Sequence, residues 1–418
     1  MIKSAVGTIG CSYASAATSY GIQFWLAQTM SGEKFGLFAT GLLVGNVLQV
    51  ILVFGTDRTL VRDLVQSSEP SQIFVDSVTL RLILTAVFFP ICLASFILMA
   101  ESNQAAWTLV FGGSYGSLLA LTPMAWFDFR QKMHIQSFLT LIEKLFFSGI
   151  VAGAVIVAGI VISPVFAAGA LLFAALVAIA LQWGLIFNDL QSTQPSFRYR
   201  IKIWQQFKQN LPVSVAAIGN LGMTHANQFL LVSFTGNASL AHYSIPFQLV
   251  RIVRLFLSQY VRIFAPQIAA MTTKENIQTG GAKRYLLRHI FSSMAVASAI
   301  GIGVFFVGRF AILNFLADTY QASIPILMAL SLWCVVLGPA MIINRFLLCV
   351  RLEKYFLYSA VVFGLLAIVL GYFMIPSLQG VGAALTLVIS HALSAIFQLV
   401  VTIRQMHRAQ RQFALSSS

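Results

Sequence analysis

Charge is scarce in this sequence. Of its 418 residues only 9% are Asp, Glu, Lys or Arg, whereas soluble proteins carry about a quarter. A soluble globule of this length needs far more polar surface, which excludes a cytosolic enzyme, a secreted domain and a disordered chain. Acidic residues are the scarcest: 12 Asp and Glu stand against 26 Lys and Arg, for a formal net charge of +14. Cysteine is nearly lacking. Cys11, Cys92, Cys334 and Cys349 lie in or beside apolar runs without CxxC spacing, and buried thiols behave as small hydrophobes. Neither a disulfide framework nor a metal site is expected. Gly280-Gly281-Ala282-Lys283 lacks the rest of a phosphate loop, and no HExxH or GxSxG constellation occurs, so no cofactor is implied.

What the sequence has in abundance is hydrophobic residues, at 58%. A bilayer span takes about 20 mostly apolar residues, and runs of that kind recur at Ala5–Thr29, Phe35–Phe54, Leu80–Met99, Ala106–Trp126, Leu139–Ile160 and Val165–Phe187. They resume at Leu211–Phe234, Leu240–Phe264, Ile290–Val307, Ala322–Ile343, Phe356–Met374 and Val381–Val401. Only helices satisfy their backbone in lipid at this length, so the expectation is an all-α polytopic membrane protein with twelve transmembrane helices. Lys3 and Ala14-Ser15-Ala16-Ala17 imitate a signal peptide, but Gly7, Thr8, Gly10, Ser12 and Tyr13 are too polar for its apolar core. The stretch is read as an unusually polar first span.

Charge placement tests that count. With both termini on one face, every Lys and Arg falls on that face except Lys34 and Arg309. Arg251, Arg254 and Arg262 are assigned there by chain position alone. A basic chain can suggest nucleic acid, but such proteins gather cations on folded polar surfaces. Here the asymmetry follows the positive-inside rule, placing both termini in the cytoplasm and excluding a nucleic-acid partner. Loops on the opposite face are short, while Thr56–Thr79, Asn188–Asn210 and Pro266–His289 form longer polar segments inside. The expected organisation is a six-helix bundle over 1–190, a cytoplasmic linker over 191–210, a second bundle over 211–403 and a tail over 404–418.

The halves resemble each other. Gln23-Phe24-Trp25-Leu26 aligns with Gln228-Phe229-Leu230-Leu231, and Phe35, Gly36 and Phe38 then meet Leu240, Ala241 and Tyr243. Pro164 and Gly169 before the sixth span resemble Pro376 and Gly382 before the twelfth. An even number of spans per half implies bundles in the same orientation, related by a pseudo-twofold axis along the membrane normal. Two such bundles with a gap between them are the anatomy of an alternating-access transporter.

Ser31-Gly32-Glu33-Lys34-Phe35-Gly36-Leu37-Phe38-Ala39 and Leu60-Val61-Arg62-Asp63 resemble the opening of Wzx-type polysaccharide flippases. These belong to the multidrug/oligosaccharidyl-lipid/polysaccharide (MOP) exporter superfamily, whose fold is MATE-like. Trp126-Phe127 with Lys132-Met133, Leu211-Pro212, Gly236, Tyr243, the run Tyr320 to Leu327, and Gly380-Val381-Gly382-Ala383-Ala384 extend the resemblance over the whole chain. Where the family often carries Asp in span 7, this chain has Asn227. The resemblance implies a transporter that moves an undecaprenyl-diphosphate-linked glycan from the inner to the outer leaflet, among membrane lipids and beside polysaccharide polymerase and chain-length machinery. With no ATPase motif, the drive must come from an ion gradient, the membrane potential or removal of product.

An ionisable residue in mid-span costs about 2.5–3.5 kcal/mol on insertion scales and so marks a partner, a wet cavity or a function. At about 100° per residue, Arg251 and Arg262 lie about 20° apart on span 8, with Arg254 about 60° to the other side. Gln248, Ser258 and Gln259 share the arc. Arginine holds phosphate with bidentate, charge-assisted hydrogen bonds, so this stripe is a candidate diphosphate path. Arg262 has the alternative of snorkelling to the interface. Arg58 and Arg62, at the end of span 2, either extend the path or anchor the interface. Spans 1 and 7 supply the sugar-binding candidates Gln23, Gln28, Asn227 and Gln228, against the alternative of small-residue helix packing. His225 is the candidate for ion coupling, against a structural hydrogen-bonding role. Glu143-Lys144 is assigned to the interface end of span 5. Asp and Glu are read as avoiding span centres while Arg occupies one, which favours an anionic cargo. The competing readings are a cation-coupled multidrug exporter of the same superfamily and a membrane polysaccharide polymerase or ligase.

Overall fold

A computed structural model describes residues 2–191, 199–271, 280–350 and 352–416. Every regular element among them is helical. Apolar runs leave no other choice in lipid, since a helix satisfies its own backbone hydrogen bonds. Helix starts follow local chemistry. Ser31 accepts from the Lys34 N–H at 3.4 Å, Ser102 from Ala105 at 3.1 Å and Ser163 from Phe166 at 3.1 Å, which satisfies amides that have no partner within the helix.

The chain divides into Met1–Ala217 and Ile218–Ser418. The first unit contains α1 (Ile2–Thr29), α2 (Gly32–Val53), α3 (Thr56–Gln66), α4 (Pro70–Met99), α5 (Asn103–Ala120), α6 (Met124–Phe129), α7 (Met133–Ile156) and α8 (Pro164–Gln191). Helix α9 (Tyr199–Leu221) carries the boundary and runs into a π-helical turn, Gly222–Ala226, then α10 (Asn227–Thr235). The second unit continues with α11 (Asn237–Met271), α12 (Gly281–Phe315), α13 (Ser323–Cys349) and α14 (Glu353–Ser416). Gln379 breaks α14 with φ 47° and ψ −128°, so that element comprises two helices.

The predicted spans map onto α1, α2, α4, α5, α7, α8, α9–α10, α11, α12, α13 and the two parts of α14. Length and apolar composition alone single out seven candidates, of which 354–408 is long enough for two crossings. The polar residues of α1 and the arginines of α11 explain why those helices escape a hydropathy criterion. Of the predicted linker, Gln191 ends α8, residues 199–210 are helical and 192–198 lie outside the described residues, while α14 runs through the predicted tail as far as Ser416.

Small residues set the closest packing in the first unit. Gly41 and Gly45 of α2 face Thr108, Gly112 and Gly116 of α5, where a Cβ on Gly41 would stand 2.9 Å from the Thr108 carbonyl oxygen. Glycines four apart on both helices let the backbones touch. The second unit repeats the partner order: α2 packs on α5 as α11 does on α13, and α1 on α7 as α9–α10 does on α14. Gly219 and Gly222 make a close approach of their own to Ala360 and Gly364.

Candidate functional site

On α11, Tyr243, Phe247, Val250, Val253, Leu257 and Val261 are buried against the rest of the second unit, while Arg251 and Arg254 are exposed and Gln248 is half-buried. The arginines stand roughly 20–25 Å from the start of a 35-residue helix, far from either end. Phe247 fixes this stretch by stacking on Trp333 of α13 with centroids 6.0 Å apart and planes at 11°. The side chain of Arg262 lies outside the described residues.

The π-helical turn brings a second polar group to the same place. A π turn is wider than an α turn and is frequent at functional sites. His225 within it meets the edge of Phe247 at 6.2 Å. The guanidiniums of Arg251 and Arg254 both act on the His225 ring electrostatically, and Gln228 is its hydrogen-bonding neighbour. His391 of α14, edge-on to Trp333 at 5.4 Å, also feels Arg254. The structure thus gathers Arg251, Arg254, His225 and Gln228 from three segments of one unit. His391, from the last predicted span, joins them, and no residue spacing in the sequence pointed to it.

Asn227 sits differently. It is fully buried, and its amide donates to the Ala383 carbonyl at 2.7 Å and the Tyr243 hydroxyl at 3.2 Å. It therefore ties α10 to α11 and α14. Gln228 is 6% exposed and donates to the Thr224 carbonyl at 3.2 Å. In the first unit, Gln23 is half-buried and donates to Ser19 at 3.3 Å, while Gln28 is exposed. Arg58 and Arg62 fall on α3; their side chains lie outside the described residues.

Two buried charge clusters in the first unit were not found from sequence. Glu143 and Lys144 stand in the middle of α7 rather than at its interface end. Lys144 Nζ lies 2.5 Å from Glu143 Oε1 and donates to the Tyr115 hydroxyl at 2.8 Å, which in turn donates to Glu143 at 3.3 Å. The interface assignment is corrected, and with it the inference that carboxylates avoid span centres; the carboxylate is neutralised by its sequence neighbour. The phenol contributed by α5 is what makes the pair tolerable, and nothing in the spacing of α7 reveals it. The other cluster centres on Arg81, which is 4% exposed and donates to Thr56, Asp57 and the Ala120 carbonyl.

These features define a multi-pass, all-helical transporter fold. The match to solved structures covers nearly the whole chain. An outward-facing multidrug-resistance MATE transporter of the MOP superfamily is 14% identical, with 98% of this chain and 96% of that chain covered and a TM-score of 0.69. The inward-facing conformation of a MATE transporter gives 15%, 97% and 95% coverage and 0.66. A MOP transporter from Pyrococcus furiosus, described as having a binding pocket of reversed polarity, gives 14%, 97% and 95%, and 0.65. No curated protein matches the sequence. Residues 3–272 match the polysaccharide biosynthesis protein family, and the chain belongs to that family. Its fold is that of the MOP superfamily to which Wzx-type flippases belong.

Proposed function

We propose that this protein is a flippase that carries an undecaprenyl-diphosphate-linked oligosaccharide from the cytoplasmic to the periplasmic leaflet of a bacterial inner membrane by alternating access. The carrying observation is that Arg251 and Arg254 are exposed in the middle of a long helix and converge with His225. No acidic residue occurs between Asp189 and Glu275, so α9, α10 and α11 offer positive charge alone. Guanidiniums at that depth are costly, and a passing diphosphate repays them through paired, charge-assisted hydrogen bonds.

Gln23, Gln28, Gln248 and Gln228 supply amides of the kind that hold sugar hydroxyls, and Arg262, Arg58 and Arg62 extend the positive path. Asn227 serves the packing that supports the site. His225 is the coupling candidate, because its ring adjoins the two arginines that would meet the cargo. The protein makes and breaks no covalent bond in this reading, and its termini lie in the cytoplasm with the chain's basic residues. Polymerase and chain-length proteins are the partners that would consume the product.

A cation-coupled multidrug exporter is the second reading, and Glu143 is the observation that favours it. Lys144 cancels that charge at 2.5 Å, which leaves little to attract a cationic drug. Purified protein in liposomes should expose a fluorescent polyprenyl-diphosphate oligosaccharide to a membrane-impermeant quencher. Movement of cationic dyes in place of the glycolipid would overturn the proposal.

A further inference from the structure

Where the last turns of α11 meet the first turns of α12, a row of rings reaches the surface of the second unit. Tyr260 and Phe264 pack with centroids 4.8 Å apart. Phe264 meets His289 edge-on at 5.2 Å, and His289 lies on Tyr285 at 3.9 Å with planes 24° apart. All four are half-buried: the tyrosines and Phe264 rest on the core around Leu286 and Phe346, leaving part of the row open. Polar groups are keyed into it. The Tyr285 hydroxyl donates to Oε1 of Gln267 at 3.1 Å, and the Tyr260 hydroxyl shares a hydrogen bond with Ser292 at 3.3 Å.

Gln267, Arg284 and Arg288 are exposed beside this row. At about 100° per residue, Arg288 and Arg284 stand roughly 60° and 100° round α12 from Tyr285. Flat rings, an amide and two guanidiniums therefore adjoin on one surface. Each answers to a different part of a diphosphate-linked sugar: the C–H faces of the ring stack on aromatics, its hydroxyls bond to amides, and the diphosphate takes the arginine forks. Membrane proteins do place tyrosine at the lipid interface. A lipid anchor, however, calls for neither an imidazole stacked on the phenol nor an amide locked to its hydroxyl.

We propose that this face is a docking site for the diphosphate-sugar head of the cargo, holding it at the membrane surface before transport. The proposal rests on the flippase reading and adds a binding step outside the Arg251–His225 cluster. The test is binding to purified full-length protein of two probes, polyprenyl diphosphate bearing an oligosaccharide and polyprenyl diphosphate alone.

Tyr285→Ala should weaken binding of the glycosylated probe about five- to tenfold, the range that a lost aromatic contact of up to about 1.5 kcal/mol allows, and leave the bare diphosphate unchanged. Arg288→Gln should weaken both probes. If Tyr285→Ala does not fold, Gln267→Ala, at an exposed position, carries the same expectation for the glycosylated probe. Unchanged binding in these variants, or equal loss of both probes in Tyr285→Ala, overturns the docking site alone. Wild-type protein that binds neither probe overturns the flippase reading with it.

Discussion

Nη2 of Arg81 donates to Oδ1 of Asp57 over 2.8 Å, yet the two partners are unequal: the arginine side chain is 5% exposed and the aspartate 48%. The same guanidinium also holds Thr56 through Nε at 2.9 Å and the Ala120 carbonyl at 2.9 Å. One residue of α4 thereby fastens the start of α3 and the end of α5. Arg81→Met should cost several kcal/mol, since hydrogen bonds to charged groups contribute about 1.5–3 kcal/mol each. Asp57→Asn should cost under about 1 kcal/mol, because its partner keeps the other contacts and half of Asp57 is in solvent. Thermal unfolding in detergent should rank the two in that order; equal shifts would contradict the account.

The backbone contact between α2 and α5 has no room for a side chain. Gly45→Leu or Gly112→Leu should abolish recovery of folded protein from membranes. Gly153→Ala, where nothing lies within 4 Å of the new methyl, should be recovered at the wild-type level. Size-exclusion profiles after detergent extraction read the difference.

Glu143 and Lys144 form a pair whose members depend on each other. Removing one partner leaves a buried charge, which costs about 3–5 kcal/mol, whereas replacing both with apolar residues is often neutral. Glu143→Gln should therefore unfold well below the wild type, and the double variant Glu143→Leu with Lys144→Leu should recover most of that loss. A double variant as unstable as the single one would assign the damage to packing.

Replacing both Arg251 and Arg254 with Ala should abolish glycan export while leaving membrane insertion intact, because both side chains are exposed and neither supports the packed face of α11. Surface glycan can be followed on gels in a strain that depends on this protein. Normal glycan in the double variant would remove these residues from the transport path.

Most of the architecture was legible because span length and backbone self-satisfaction are one-dimensional constraints. Long runs such as Phe35–Phe54 and Val165–Phe187 need only counting. What could not be counted was pairing across helices. The Tyr115–Glu143–Lys144 contact and the Arg81 node join residues that no spacing rule connects. Asn227 and His225 show the same limit at finer scale. Two residues apart, both looked like polar lining, yet one is locked to Ala383 and Tyr243 while the other lies among the arginines. The break at Gln379 falls in the gap left between the spans ending at Met374 and starting at Val381, but its left-handed backbone was not legible, since glutamine carries no turn signal.

The wide turn at Gly222–Ala226 carries a consequence for how this chain tolerates length change. A π turn holds one residue more than an α turn, so that stretch has a spare residue which a single-codon deletion could remove, returning the span to ordinary winding. The same deletion within α11 has no such reserve. It would rotate everything beyond it by about 100° and swing a guanidinium off its surface, so the two helices that meet at His225 differ in how much insertion and deletion their history could have passed through them.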